Sequence, residues 1–198
     1  MTALGNSARA VFDDFIVEAR KVWGPQAPMG ERVAQILPLM QGLVADPAIR
    51  EAAKAWPSTE GLGNLLLYTD PDFDFVVNAV VRDPGRKGGV HDHADAWVLY
   101  GLVEGAETLQ RWRRLDDGSV PGYAQVELAS ASQGLPGHVD VVSPNDIHAE
   151  LGGPDRSVAI IFRSVRLVGR VLQNGYDPVT NKVIQRSGPN QMPFEIAA

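Results

Sequence analysis

The first quarter of the chain carries apolar residues at helical spacing, three to four positions apart. The predicted helices are residues 7–23, residues 30–45 and a third that starts at Pro47 and ends near Trp56. Gly24-Pro25 ends the first pattern, and Asp46 is a suitable N-cap for the third helix. Residues 1–60 are therefore predicted to form a helical cap that packs on the rest of the protein.

From Asn64 onward, short apolar runs alternate with turns rich in Gly, Pro and Asp. The predicted strands are residues 64–69, 73–82, 96–104, 107–114, 122–129, 137–143, 147–152 and 157–164, with one more possible at 180–185. Many short strands at this spacing are typical of a sandwich or a barrel. We expect one domain, with a barrel over residues 64–165 and a tail over 166–198 that wraps the surface.

Composition narrows the classes of function. The 198 residues suit one domain with one sizeable core, and a net charge of −6 argues against a broad nucleic-acid surface. The absence of cysteine excludes disulfides and thiolate ligands. No signal peptide and no membrane-spanning run is predicted. We expect a cytoplasmic monomer or homodimer whose partners are small molecules, with neither nucleic acid nor membrane among them.

Three of the four histidines lie in two short motifs, His91-Asp92-His93 and Asp146-Ile147-His148. Two imidazoles at positions i and i+2 of a strand point to the same face, so the pair could hold one metal ion with a third imidazole from a neighbouring strand. Neutral imidazole suits zinc, iron, copper and nickel. The alternative is a structural role, with the histidines hydrogen-bonded at the mouth of a barrel.

The two motifs resemble those of the cupin superfamily, and most closely the cysteine dioxygenase-like thiol dioxygenases. That branch carries H-D-H-x-D-x, here residues 91–96, then an apolar strand closed by glycine, and later D-I-H after a proline turn, here residues 146–148. The resemblance implies a mainly β fold: a cupin double-stranded β-helix, or jelly-roll barrel, preceded by about three helices. It also implies Fe(II) held by His91, His93 and His148, with O₂ as co-substrate.

Common cupins add a glutamate ligand three or four residues after the second histidine, where this chain has Trp97 and Val98. Neither side chain binds metal, so we predict a neutral set of three histidines. Three neutral ligands leave the full charge on the ion and favour an anionic co-ligand such as a thiolate or enolate. The ligands alone leave zinc, nickel, manganese and copper open beside iron.

The substrate pocket departs from the resemblance. The arginine that binds the substrate carboxylate in the family falls near Leu65, and the family's Ser-His-Tyr relay falls at Ala159, Ile161 and Arg163. If Arg163 points inward, it would place a cation beside the metal. Trp97 and Tyr100 are further candidates for the pocket wall, although ordinary core packing explains them equally well.

Asp92 and Asp146 flank the ligands, and either could accept a proton from a ligating imidazole or form a turn. His138 alternates with valines and is interpreted as a strand side chain. We therefore predict a dioxygenase-like cupin acting on a small anionic substrate, a thiol or an enolisable acid. The rivals are a metal-dependent isomerase or hydrolase that does not use O₂, and a non-catalytic ligand-binding cupin.

Overall fold

Three helices precede the strands in the computed structural model, which describes residues 7–24, 26–61 and 63–197. They are α1 Ala8–Trp23, α2 Met29–Ala45 and α3 Pro47–Ala53. Ser7 Oγ accepts the Ala10 N–H, and Asp46 Oδ1 accepts the Ala48 N–H at 2.8 Å, so side chains cap the first and third helices. The three predicted helices are confirmed. Residues 1–6 and the predicted stop at Pro25 lie outside the described residues.

The rest of the described chain forms twelve strands. They are β1 Asn64–Thr69, β2 Val76–Arg82, β3 Val90–His91, β4 Val98–Glu104, β5 Glu107–Arg114, β6 Val126–Gly134, β7 Val139–Val142, β8 Ile147–Gly152, β9 Ser157–Arg163, β10 Gln173–Asp177, β11 Lys182–Arg186 and β12 Gln191–Pro193. They form two six-stranded sheets, ordered β12-β1-β2-β9-β4-β7 and β11-β10-β3-β8-β5-β6. Neighbours such as β2 and β9, or β3 and β8, are distant in sequence, which gives the predicted double-stranded β-helix.

The three strands β2, β9 and β4 of the first sheet bury both faces. One face packs under the helices in a large apolar core that contains Ile36, Met40 and Phe162, all fully buried. The other face points into the barrel, where a smaller cluster includes Val98, Tyr100 and Ile161. The helices therefore cover the outside of the barrel, and the barrel interior holds the smaller apolar cluster and the site described below.

The C-terminal segment contains more sheet than its sequence indicated. It carries three strands, β10 to β12, where the pattern suggested at most one. β10 pairs with β3, the strand that holds His91, and β12 pairs with β1. The segment is rich in Gln, Asn, Gly and Pro and shows no apolar alternation, so its strands are specified by pairing with the barrel. In the described chain, no helix is both long enough and apolar enough to cross a membrane.

Candidate metal centre

Tight turns bring the two histidine motifs together. His91 on β3 lies directly opposite His148 on the antiparallel β8. Gly88 lets β3 approach β8, because a Cβ there would come within 2.7 Å of the carbonyl oxygen of Glu150. The turn after His93 places Ala94 at a φ of 47°, and the Ala94 carbonyl accepts the N–H of Asn145 at 2.7 Å. The turns that flank the two motifs are thus hydrogen-bonded to each other.

The three imidazoles form one cluster. Each offers a nitrogen, and these nitrogens lie within 4.8 Å of one another. The ring centroids are 4.3 Å apart for His91 and His148, 4.8 Å for His91 and His93, and 4.9 Å for His93 and His148. His93 and His148 are buried, and His91 is partly exposed. The structure therefore brings the three predicted ligands together, with His91 on β3, His148 on β8 and His93 just beyond the end of β3.

The second nitrogen of each ring is engaged by the protein. Nδ1 of His91 donates to the Gly89 carbonyl at 2.9 Å, and Nδ1 of His148 donates to the Asp146 carbonyl at 3.1 Å. The Gln173 side-chain amide contacts Nδ1 of His93. Nε2 of His148 is buried without a well-aligned hydrogen bond. Each ring also offers a nitrogen to the cluster, and rings fixed by such contacts are what a metal ion requires, so the residues fit an ion such as Fe(II).

The electrostatics keep two of the rings neutral. Burial, helped by the nearby His148, lowers the pKa of His91 to about 4, and burial also lowers the pKa of His93 well below its ordinary value. Burial acts in the same direction on His148, but the adjacent Glu150 carboxylate outweighs it and raises the pKa of that ring. Neutral imidazole is the form that binds metal, so His91 and His93 are ready to coordinate at neutral pH.

Glu150 is a residue of the site that sequence reasoning missed. It follows His148 by two positions on β8, so both side chains lie on one face, and Glu150 Oε1 is 3.2 Å from His148 Nε2. Its other oxygen lies 3.4 Å from Nη2 of Arg82. The neighbouring histidines and Arg82 overcome the effect of burial and hold the pKa of Glu150 well below its ordinary value. Strand periodicity applied to His148 would have identified this carboxylate.

A cavity of about 370 Å³ opens beside the imidazole cluster. Arg163 lines it and is buried, with Nη1 donating to Asn78 Oδ1 at 2.5 Å and Nε left without a partner. Burial lowers the pKa of Arg163 to about 10, so the side chain is still a cation at neutral pH. Among the described residues, no carboxylate forms an ion pair with Arg163, which leaves a buried cation facing the cavity.

Tyr100 also lines the cavity and is buried. Its hydroxyl donates to Glu107 Oε2 at 2.9 Å, and burial raises its pKa well above the ordinary value. Glu107 in turn accepts from Ser157 Oγ at 2.6 Å and lies 3.4 Å from Arg82 Nε. Tyr100 and Arg82 thus connect the cavity wall to a buried network of charged and hydroxyl groups, which the sequence pattern did not indicate.

Trp97 does not line the cavity, so of its two interpretations the structure supports ordinary core packing. It packs against the core under the helices, where its ring lies near Gly30. Side-chain alternation counted from His93 would place Trp97 on the same face as that ring if the strand were continuous. The turn at residues 94–95 interrupts the strand, so the residues that face inward are Val98 and Tyr100.

Neither predicted aspartate carboxylate contacts a histidine ring. Asp92 accepts hydrogen bonds from Asn174 N, Asn174 Nδ2 and Tyr176 Oη at 2.7–3.0 Å, which fixes β10 against β3. Asp146 Oδ2 accepts the N–H of Ser143 at 3.1 Å and closes the turn. The imidazoles are oriented instead by backbone carbonyls and Gln173. His138 is exposed, precedes β7 and does not line the cavity.

No model of a protein family matches the sequence, and neither does any curated protein. Solved structures with cupin or double-stranded β-helix folds are similar to it. A conserved double-stranded β-helix protein from Klebsiella pneumoniae is 13% identical, with a TM-score of 0.41 over 57% of this chain and 80% of its own. KdgF from Halomonas sp. is 19% identical, with a TM-score of 0.39 over 52% and 78%. Oxalate oxidase in complex with the substrate analogue glycolate is 16% identical, with a TM-score of 0.43 over 60% and 64%. Similarity at this level carries nothing about activity, and the fold rests on the strand order itself.

Proposed function

We propose that this protein is a mononuclear non-haem Fe(II) dioxygenase of the cupin type, acting with O₂ on a small anionic substrate. The observation that carries the proposal is one juxtaposition. Three imidazoles with their second nitrogens engaged lie together, and two of them, His91 and His93, line a cavity with Arg163, a buried cation that forms no ion pair with a carboxylate of the described residues. A divalent ion and a fixed cation side by side favour a ligand that is negatively charged.

In this proposal the residues bind the metal ion or the substrate according to where they lie around the cavity. His91, His93 and His148 would hold the ion, which when bound supplies a place for O₂ and substrate to meet. Arg163, with its Nη1 oriented by Asn78, would bind an anionic group of the substrate. The apolar wall, which includes Ile161, excludes water from the same space.

The substrate class is a thiol or an enolisable acid. For a thiolate the overall change is RS⁻ + O₂ → RSO₂⁻, in which two sulfur–oxygen bonds form, the O–O bond breaks, and sulfur supplies the electrons. No external reductant is needed, and charge and atoms balance. A cavity of about 370 Å³ limits the substrate to a small molecule.

The test is metal analysis followed by oxygen uptake. Protein produced with iron should hold close to one ion per chain, and His148→Ala should lose it, because the buried ring is one of three ligands. His138→Ala removes an exposed histidine outside the cavity and is the matched control. An oxygen electrode should then register uptake with small thiols or diketones. Wild-type protein without stoichiometric metal, or iron-loaded protein that consumes no O₂ with any of them, contradicts the proposal.

Glu150 favours a second candidate, an isomerase or hydrolase that uses the same ion without O₂. A buried carboxylate 3.2 Å from a ligand nitrogen is placed to move a proton on a bound substrate. Turnover of an enolisable acid under strict exclusion of O₂ would select this candidate. The open cavity gives no support to a purely non-catalytic role.

A further inference from the structure

We infer that Glu150 is a fourth protein ligand of the metal ion, joining the three histidines through its Oε1. The inference rests on the metal site of the proposed function and changes its composition. The sequence favoured a neutral ligand set because Trp97 and Val98 occupy the positions where cupins place a glutamate. Here a carboxylate arrives instead from β8, the strand of the third histidine.

The position of Glu150 follows from strand geometry. His148 and Glu150 are separated by one residue on β8, and both side chains are buried on the same face. Because Nδ1 of His148 donates to the Asp146 carbonyl, Nε2 is the nitrogen directed at the cluster. Oε1 of Glu150 lies 3.2 Å from this nitrogen.

That separation is the one expected of two ligands on one ion. Donor atoms about 2.1 Å from an ion and at right angles to each other lie about 3.0 Å apart. The contact lacks the alignment of a hydrogen bond, since Nε2 of His148 is left without a hydrogen-bond partner. Two buried atoms held this close, with no hydrogen bond between them, are explained by a cation that both bind.

Arg82 prepares the carboxylate for this role. Its Nη2 lies 3.4 Å from Oε2 of Glu150, and its Nε lies 3.4 Å from Oε1 of Glu107. Glu107 already provides Arg82 with a buried counter-charge, so Glu150 is not needed to neutralise the arginine. Arg82 instead holds one oxygen of Glu150 and leaves the other free toward the imidazoles.

A carboxylate ligand changes which ions the site prefers. It lowers the net charge of the ion and its ligands from +2 to +1, and it supplies the oxygen donor that Mn(II) favours, whereas imidazole alone favours zinc and copper. We therefore expect Mn(II) to bind as well as Fe(II). Replacing the carboxylate should weaken Mn(II) more than Zn(II).

The test uses Co(II), whose visible absorption reports its ligands directly. Glu150→Gln keeps the shape of the side chain and removes the charge; we expect at least a 100-fold weaker Co(II) affinity and a shifted, altered visible spectrum. Glu150→Asp keeps a carboxylate and should retain a carboxylate-ligated spectrum. The matched control is Glu104→Gln, which removes the charge of a carboxylate that pairs with Arg156 and does not line the cavity. It should bind Co(II) within about threefold of wild type, with the wild-type spectrum.

The spectrum decides the outcome. If Co(II) in Glu150→Gln absorbs as it does in the wild type, Glu150 is not a ligand and the inference is overturned, whatever the affinity. If the wild type itself binds no Co(II), it is the metal site that fails, and with it the proposed function. A folded Glu150→Gln with an altered spectrum, beside an unaltered Glu104→Gln, supports the inference.

Discussion

The two faces of β9 differ in their surroundings: one packs against the helices and the other faces the interior of the barrel. Val158, Ile160 and Phe162 point toward the helices, whereas Ala159, Ile161 and Arg163 point into the barrel. The helix face is closed by aromatic packing, in which the Phe162 ring lies 5.0 Å from Phe75 and 5.1 Å from Trp23. The barrel face ends on a cation with an unpartnered nitrogen.

The difference separates stability from function within one strand. Burial of apolar area stabilises the fold on the helix face, while burial of a charge without a counter-ion costs stability on the barrel face. Six buried side-chain atoms of the described residues lack a hydrogen bond. Arg82 and Arg163 contribute one each at the cavity, and His148 contributes one in the imidazole cluster. Polar atoms near the cavity therefore remain free to bind a ligand, whereas the side chains on the helix face are fully packed.

The largest effect on stability should come from Phe162→Ala on the helix face. The side chain is fully buried among aromatic rings, so its removal leaves a cavity, and we expect a loss of about 3–5 kcal/mol in the free energy of unfolding. Urea unfolding monitored by circular dichroism measures it. Metal affinity of the molecules that remain folded should not change. A loss below 1 kcal/mol would show that the helical cap contributes little to the core.

A smaller effect should follow from pH in the metal-free protein. The pKa of His91 is about 4 in the folded protein against 6.5 for an ordinary histidine, and that of His93 is also lowered. Between about pH 4 and pH 6.5 the unfolded chain therefore binds protons at these histidines that the folded protein does not bind. Stability is complete above about pH 6.5 and is lost as the pH falls toward 4, and His148, with its raised pKa, offsets part of the loss.

We expect the free energy of unfolding, measured in urea with chelator present, to be about 2 kcal/mol lower at pH 4.5 than at pH 7.5. His91→Asn should reduce this difference, because the variant lacks one titrating ring. His138→Asn, which changes an exposed histidine, should leave the profile as it is. If wild type and His91→Asn show the same dependence of unfolding free energy on pH, His91 does not have a lowered pKa in the folded protein.

Arg163→Met should stabilise the ligand-free protein by about 1 kcal/mol, because it replaces a buried cation with an apolar side chain of similar length. Asn78 Oδ1 keeps a donor in Gln191 Nε2 at 3.2 Å, so no acceptor is orphaned. The same variant should lose affinity for anionic substrates. Arg163→Lys is the control that retains the charge. A destabilised Arg163→Met would mean that the guanidinium is already well compensated in the folded protein.

The smallest effect should come from Trp97→Phe. Because Trp97 packs on the helix side, the change should cost less than about 1.5 kcal/mol of stability and leave metal affinity and substrate KM unaltered. Thermal unfolding and a metal titration check both points. A raised KM for substrate would mean that Trp97 contributes to the substrate site, which would contradict its position on the helix side.

Local signals in the sequence were enough for the helices and for the histidine cluster. Ser7 and Asp46 cap helices because their side chains reach backbone N–H groups a few residues away. His91 and His93 lie in one short motif, and the Pro-Asn turn before Asp146 indicated where the strand bearing His148 begins. In each case the information lies within about five residues, which is the range in which sequence patterns are reliable.

The residues and strands that the sequence analysis left open or did not find have separate causes. Trp97 could not be given one face from the sequence, because one residue at positive φ, Ala94, resets the alternation after His93. Gln173 and the strands of the tail could not be found, since polar strands are specified by the partner they join and not by their own pattern. Glu150 was within reach of the alternation rule, because it follows His148 by two positions on a predicted strand.

The link between Gln173 and His93 also bears on the order of folding. The two residues are 80 positions apart in sequence, and β10 must dock against β3 before the amide can orient the imidazole. Contacts of such long range form late, because the intervening chain must be ordered first. The ligand cluster is therefore expected to mature only after the barrel has closed. An ion captured there would report completion of folding, and it could not act as the nucleus that starts it.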